Sequence, residues 1–262
     1  MAKMYWSSGN HDREISLISC HDFTLGAFSR TCPGKGLNED RFFYWAPEPS
    51  SLILAVADGV GSTPQAHEAS AKALKAFGTY ISRGEIDEGA IMRGIDKAND
   101  AVMNIGKGSA TTIAVALIKD EAFRYFSVGD SSALLIGGRG KIKSQSKGHS
   151  AYNHLVESGI QIKDQAKTEP LKYELVSYLG TKDYICEVSS VKEFKERDSV
   201  LVGSDGFMDN VDLNRLEPLS FKGRDYSEDD LISIENRLQK TMESDNGHLD
   251  DATAIFARRK AE

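Results

Sequence analysis

The stretch SLILAVADGVGSTPQAHEASAKAL, residues 51–74, joins an apolar segment, a glycine-containing turn and the start of a helix. The apolar segment is typical of a strand that is covered on both faces. It ends at Asp58 and Gly59, and Thr63 followed by proline predicts the N-cap of a helix. An acidic side chain at the end of a buried strand needs an explanation from the rest of the sequence.

The composition is that of a globular protein. The chain has 262 residues, of which 40% are hydrophobic and 27% are charged, so it can support a sizeable core. No repeat, low-complexity tract or proline-rich linker divides it. We therefore predict one domain over residues 1–262.

The charge and the apolar runs restrict the classes of partner. A formal net charge of −7 argues against a nucleic-acid partner or an anionic membrane partner, because either needs a cationic face. No apolar run is long enough to cross a bilayer, and the first 25 residues lack the pattern of a secretory signal. Three cysteines without Cys-x-x-Cys spacing indicate neither a disulfide framework nor a zinc site. We expect a cytoplasmic protein.

Short apolar segments predict a fold with many strands. Several are separated by a turn alone, as in residues 116–126, which favours antiparallel hairpins over alternating β-α-β units. The predicted strands are residues 13–23, 40–46, 51–57, 111–120, 121–128, 132–138, 185–194, 198–204 and 252–259.

Three longer segments have apolar residues at helical spacing. Residues 66–83 and 86–105 predict an antiparallel helix pair that covers a sheet, and residues 228–242 predict a late helix. A short helix is expected near residues 150–158. This order of elements predicts an α+β layered sandwich.

Acidic residues border the predicted strands at six places. One acid at a strand end is commonplace, since Asp and Gly both favour turns. Several of these acids also lie beside glycine, where the backbone can approach a ligand and offer a carbonyl. The acids are Glu39 with Asp40, Asp58, Asp130, Asp205, Asp209, and Asp250 with Asp251.

Convergence of these acids would require cations. Like charges cannot crowd together without large increases in pKa unless a cation neutralises them. Donors that are all oxygen suit hard ions such as Mg²⁺ or Mn²⁺ rather than zinc.

The acidic motifs, taken in order, resemble those of the protein phosphatase 2C family of metal-dependent protein Ser/Thr phosphatases, in its bacterial form. Single motifs are weak, but six in the same order and spacing cover residues 38–256, most of the chain. The motifs are GKGLNED at 34–40, VADGVGS at 56–62, GSATTIAVALI at 108–118, FSVGDSSALLI at 126–136, GSDGFMD at 203–209 and DDAT at 250–253.

The resemblance implies a four-layer α-β-β-α sandwich of two mostly antiparallel sheets flanked by helix pairs. It also implies a variable flap at about residues 144–185 and two Mg²⁺ or Mn²⁺ ions at one edge. Asp58 would bridge both ions, and Gly59 would offer its carbonyl to one of them. Asp205 and Asp250 would complete the protein ligands of the other.

The remaining acids have weaker implied roles. Glu39 and Asp40 match an acidic pair that acts largely through metal-bound waters. Asp130 matches an aspartate linked to a third, weaker ion, together with Asp205 and Asp209. Asp251 stands where the family usually has Asn, which implies a role behind the ligands.

The implied reaction is hydrolysis of phosphoserine and phosphothreonine on proteins. The two ions would activate a water for in-line attack and offset charge on the phosphoryl oxygens, so no protein nucleophile is needed. Lys35 takes the place of an Arg that grips the phosphate, and keeps its charge without the planar fork. Val60 takes the place at which many relatives carry a His, which leaves the general acid unidentified.

Two further interpretations were weighed. A Cys-based phosphatase needs an Arg six residues after its nucleophile, and none of the three cysteines has one. A catalytically weak or inactive module that binds phosphoproteins or regulates a partner stays open, with Lys35 in its favour. We expect a monomer whose partners are phosphorylated proteins and a Ser/Thr kinase.

Overall fold

A computed structural model describes residues 3–9, 12–160, 170–212, 224–244 and 247–260. It contains thirteen strands in two sheets, with helices outside them. The strands are β1 (Lys3–Trp6), β2 (Arg13–Cys20), β3 (Phe23–Arg30), β4 (Asp40–Ala46), β5 (Ser51–Asp58), β6 (Ile113–Lys119), β7 (Ala122–Val128), β8 (Ser132–Ile136), β9 (Ile142–Gln145), β10 (Glu187–Val188), β11 (Lys192–Glu193), β12 (Ser199–Gly203) and β13 (Ala252–Arg259). The helices are α1 (Ala66–Ile81), α2 (Glu88–Met103), α3 (Ala151–Glu157), α4 (Asp205–Met208) and α5 (Glu228–Met242).

Every strand pairing is antiparallel. The first sheet has the order β1-β4-β5-β6-β7-β10, and β11 also pairs with β7. The second sheet has the order β2-β3-β13-β12-β8-β9. The last strand in the sequence, β13, thus lies inside its sheet between β3 and β12. The predicted α+β class with two mostly antiparallel sheets is confirmed.

The hydrophobic core lies in three layers because strand residues alternate between two faces. Phe42 and Leu54 of the first sheet meet Ile255 of the second sheet in the layer between the sheets. The neighbouring residue Phe43 points the other way and packs edge to face against Phe77 of α1, with ring centroids 6.0 Å apart. The core between the sheets fixes which strand ends meet at the edge of the sandwich.

Helices cover both outer faces. The helices α1 and α2 form the predicted antiparallel pair over the first sheet, with Leu74 and Ile95 buried against it. Over the second sheet, α5 buries Leu231 and Leu238, and Phe207 of the short helix α4 joins the same cluster. On this face, the parts of the chain that the structure describes contain one long helix and one short helix, where a pair was expected.

The helix α1 begins at Ala66 as predicted, but its N-cap differs from the prediction. Gln65, with φ 58°, precedes the helix, and Thr63 is not its N-cap. The Thr63 hydroxyl instead donates to the carbonyl of Val60 at 2.7 Å and accepts the amide of Ala110 at 3.2 Å. Thr63 therefore ties the turn after β5 to the loop before β6.

Several strand predictions also change. The sequence analysis missed β1 and β9, whose four half-exposed residues carry little pattern. It also missed the buried strand β3, of which only Phe23 was predicted, as the end of the strand before it. The predicted strand over residues 185–194 forms as two two-residue strands, β10 and β11. Within the described ranges, no helix is both long and apolar enough to span a membrane.

Candidate functional site

Two acidic residues face each other at the end of adjacent strands of the first sheet. The register of β4 with β5 pairs Asp40 with Asp58. Asp40 has no solvent exposure, and strand alternation puts it on the same face as Phe42, toward the second sheet. The apolar segment that leads to Asp58 therefore delivers its carboxylate to the gap between the sheets.

The second sheet brings acids to the same edge. Asp205 follows β12 at the first position of α4, and Asp250 lies two residues before β13. Because β12 and β13 pair with Gly203 opposite Ala254, these two acids lie close together. Their carboxylates and a ring nitrogen of His248 supply three ligand atoms that all lie within 4.8 Å of one another.

Asp40 is only partly satisfied by hydrogen bonds. Its Oδ2 accepts the hydroxyl of Ser204 at 2.7 Å, whereas its Oδ1 is buried and has no hydrogen-bond partner among the described residues. Burial, and then the nearby charges of Asp251, Asp250 and Asp205, raise the pKa of Asp40 well above its usual value. A buried carboxylate oxygen without a donor is an open position for a cation.

The same crowding affects its neighbours. Burial, and then the charges of Asp40 and Asp205, raise the pKa of Asp58 well above its usual value. Burial also raises the pKa of Asp205, although a hydrogen bond with Asp58 opposes this shift. Several carboxylates that share a buried space are the environment that divalent cations stabilise. These residues therefore fit the oxygen-rich metal centre that the sequence implies.

The turn at Asp58 and Gly59 is fixed by the backbone around it. The carbonyl of Asp58 accepts the Thr111 hydroxyl at 2.7 Å and the Thr112 amide at 2.8 Å, and the amide of Gly59 donates to the carbonyl of Glu39 at 3.1 Å. A Cβ at position 59 would lie 2.3 Å from the carbonyl oxygen of Ala66. Only glycine lets the strand end pass so close to α1.

Asp130 lies on the far side of the cluster. Burial, and then the charge of Asp205, raise the pKa of Asp130 well above its usual value, and Asp209 adds to this effect. His149 holds the preceding residue: its Nδ1 accepts the amide of Gly129 at 3.2 Å, and its own amide donates to the Gly129 carbonyl at 2.9 Å. His149 thus has a structural role in placing Asp130.

Lys35 is surrounded by carboxylates. Its Nζ lies 2.6 Å from Glu39 Oε2, 3.1 Å from Asp250 Oδ1 and 3.0 Å from Asp251 Oδ2. Burial disfavours its charge, but these acids outweigh burial and raise the pKa of Lys35 above its usual value. Lys35 is therefore a permanent cation at the rim of the acidic cluster.

Asp251 holds the loop that carries Lys35. The side chain of Asp251 is almost fully buried, and its two oxygens accept the amides of Cys32 and Glu39, each at 2.7 Å. The amide of Asp251 in turn donates to Asp250 at 2.7 Å. The extra acid at position 251 thus joins both ends of the loop to the start of β13.

Arg41 does not reach the cluster. Strand alternation turns it away from Asp40, and its Nη1 donates to the carbonyls of Asn38 and Asp40, both at 2.6 Å. Arg41 therefore supports the backbone of this strand end from behind.

A cleft of about 730 Å³ opens beside the cluster. Asp130, Asp205 and Asp209 line it together with residues of the expected flap, from 145 to 157 and at 172–173. Residues 161–169 of that flap lie outside the described residues. The cleft is of a size that suits a small ligand or a substrate side chain.

Sequence analysis missed His248. It lies two residues before Asp250 in a loop without regular structure, and nothing in the pattern marks it. The side chain of Asn210 binds the backbone of His248 at its amide and its carbonyl. Asn210 Oδ1 accepts the His248 amide at 3.0 Å, and Asn210 Nδ2 donates to the His248 carbonyl at 2.7 Å. Its proximity to Asp250 was the only available signal.

Known proteins resemble this chain in sequence and in structure. The serine/threonine phosphatase stp of Listeria welshimeri is 24% identical over 234 residues, covering 85% of this chain and 90% of the relative. The structure of the serine/threonine phosphatase of S. agalactiae is 18% identical, covers 91% of this chain and 100% of its own, and superposes with a TM-score of 0.76. The catalytic domain of the phosphatase PstP, solved with two manganese ions, is 19% identical, covers 90% of this chain and 97% of its own, and has a TM-score of 0.68.

The family comparison covers most of the chain. The family described as Protein phosphatase 2C matches residues 34–244, which include the loop of Lys35, the turn at Asp58 and the strand end at Asp205. The fold agrees with that of the solved phosphatases. The chain therefore belongs to the protein phosphatase 2C family of protein serine/threonine phosphatases.

Proposed function

We propose that the chain hydrolyses phosphoserine and phosphothreonine on proteins, and that it depends on two Mg²⁺ or Mn²⁺ ions to do so. The observation that supports this most is the buried convergence of Asp40, Asp58 and Asp205, with one Asp40 oxygen lacking a donor. Such an arrangement is unstable as a set of bare charges and favourable around cations.

The resemblance to the family and the clustering of these acids support roles for individual residues. Asp58, the carbonyl of Gly59, Asp205 and Asp250 would hold the two ions. The ions, when bound, supply an activated water and positive charge for the phosphoryl oxygens. The chain has no need of a nucleophilic side chain.

The outer acids complete the cluster. Glu39 and Asp40 would act largely through metal-bound waters, and Asp130 and Asp209 would offer a third, weaker position beside Asp205. Lys35 offers the phosphate a single cation at the rim, and the carboxylates that surround it keep it charged.

Substrate selection falls to residues 144–185, since the described part of this segment forms one wall of the cleft. The partners are phosphorylated proteins and the Ser/Thr kinase that phosphorylates them, and the chain acts as a monomer.

An assay with p-nitrophenyl phosphate and Mn²⁺ tests the reaction. We expect Asp58→Asn to lower kcat by a hundredfold or more, because metal-ion catalysis is worth several kcal/mol. Asp100→Asn is the matched control, since Asp100 is an exposed acid on α2, and it should retain full activity. Equal rates for the wild type and Asp58→Asn would leave the chain as a phosphoprotein-binding module.

A pair of peptides tests the substrate class. We expect a phosphoserine or phosphothreonine peptide to be hydrolysed at least about tenfold faster than the same peptide with phosphotyrosine, since the relatives of this chain are serine/threonine phosphatases. A preference for phosphotyrosine would contradict the proposal while leaving metal dependence intact.

A further inference from the structure

His248 brings a nitrogen donor to a cluster in which the other donors are oxygens. One ring nitrogen lies, with carboxylate oxygens of Asp205 and Asp250, in a group of three ligand atoms within 4.8 Å of one another. Donors at such separations converge on one ion after small movements, since a first-row ion binds its ligands at about 2.0–2.2 Å.

The imidazole has an open coordination position. Its Nδ1 is buried and makes no hydrogen bond within the described parts of the chain. This atom lies 3.4 Å from Asp209 Oδ2, and the two form an ion pair only when the ring is protonated. A buried ring nitrogen among acids is expected to meet either a proton or a metal ion.

The surroundings hold the ring in place. Asn210, itself buried, binds both backbone polar groups of His248. The ring also packs against Tyr173, with the centroids 4.6 Å apart. A side chain that is held at its backbone and at its ring face is preorganised for ligation.

We propose that His248 is a nitrogen ligand of the divalent ion held by Asp205 and Asp250, and that it makes this position prefer a first-row transition ion to Mg²⁺. Mg²⁺ takes oxygen ligands almost exclusively, whereas imidazole binds transition ions well. This differs from the oxygen-only set that the sequence motifs imply. The inference rests on the proposed function only in that both use the same carboxylates.

Pulsed electron paramagnetic resonance of bound Mn²⁺ tests the ligand directly. Spectra of the wild-type protein, recorded from substoichiometric to saturating Mn²⁺, should show the nitrogen coupling of a coordinated imidazole, and this coupling should be lost in His248→Gln. His154→Gln is the matched control, because His154 is an exposed histidine on α3, and it should keep the coupling. No nitrogen coupling in the wild type at any Mn²⁺ ratio would overturn the proposal.

Calorimetric titration measures the selectivity. We expect His248→Gln to weaken Mn²⁺ binding by about tenfold or more, in the range found when a metal site loses a supporting group, with Mg²⁺ binding changed by less than about twofold. An equal loss for both ions would show that His248 only supports the fold of the site. Neither measurement uses activity. An inactive protein that shows the nitrogen coupling would refute the proposed function alone. An active protein that lacks the nitrogen coupling would refute this inference alone.

Discussion

At the scale of single residues, Lys35 is the cation that contacts the acidic cluster most closely. It forms ion pairs with Glu39, Asp250 and Asp251. An arginine would place its charge in a planar fork suited to phosphate, whereas lysine presents a compact charge that several carboxylates can share. Lys35 therefore balances charge within the site, in addition to the phosphate-binding role proposed for it.

Replacing Lys35 should be more costly without metal than with it. In EDTA, we expect Lys35→Met to lower the free energy of unfolding by about 1–3 kcal/mol, because the buried carboxylate of Asp251 loses its cation. Saturating Mn²⁺ should remove part of this loss, and Lys97→Met on the surface of α2 is the control. Thermal unfolding of both variants, with and without Mn²⁺, measures these differences. If Lys35→Met left the stability in EDTA unchanged, Lys35 would serve only the substrate.

The sequence predicts the acids of the site better than their neighbours. Asp58, Asp205 and Asp250 are recognisable because each adjoins a strong apolar strand, so its position in the fold follows from the strand. Ser204, which binds Asp40, and His248 have no such marker. The contact between Lys35 and Asp250 joins residues 215 positions apart, and only the packing of the two sheets brings them together.

At the scale of elements, the helix boundaries reflect local chemistry to different degrees. The sequence predicts α5 at its observed bounds, because Ser227 and Asp230 form a capping box at its start. It assigns the N-cap of α1 to the wrong residue, because the Thr63 hydroxyl is used by the Val60 carbonyl and the Ala110 amide. A tertiary contact there overrides a local preference for capping.

The cap of α5 gives a prediction about pH. Burial alone would raise the pKa of Asp230, but hydrogen bonds from Arg224 and Ser227 outweigh it and lower the pKa to about 2, from an ordinary value of 3.8. The carboxylate therefore stabilises the fold above pH 3.8, and this contribution is lost as the pH falls through about 2.

Asp230→Asn should lower the free energy of unfolding by about 1 kcal/mol at pH 7. The difference from the wild type should shrink below about pH 4, as the carboxylate takes up its proton in both states. Urea unfolding across this pH range is the measurement, and Asp229→Asn, at an exposed position of the same turn, should have a smaller effect. A difference that stays constant down to pH 2 would assign the stabilisation to packing rather than charge.

At the scale of the whole molecule, the acidic edge opposes the stability of the two-sheet core. Asp40 is fully buried and has one oxygen without a donor, so its charge destabilises the fold when no cation is bound. The metal binding proposed above should reverse this effect, so that stability rises with metal concentration.

Asp40→Asn should therefore raise stability when no metal is bound and reduce the stability that is gained on metal binding. In EDTA, it should raise the free energy of unfolding by about 1 kcal/mol, or roughly 2–4 °C in Tm for a chain of this size. With Mn²⁺, its Tm should rise less than that of the wild type. Calorimetry under both conditions tests this, with Asp183→Asn at an exposed position as the control. A lower Tm in EDTA would show that the hydrogen bond to Ser204 outweighs the buried charge.

The central place of β13 in the second sheet sets an order of assembly during synthesis. The strands β1 and β4 to β7 of the first sheet are complete once residue 128 has emerged from the ribosome, whereas β3 and β12 have no common partner until residues 252–259 arrive. Asp250 lies two residues before that strand. The growing chain therefore carries the first sheet without a complete second sheet while residues 129–251 are made, and it gains its full acidic cluster only in the step that joins the second sheet.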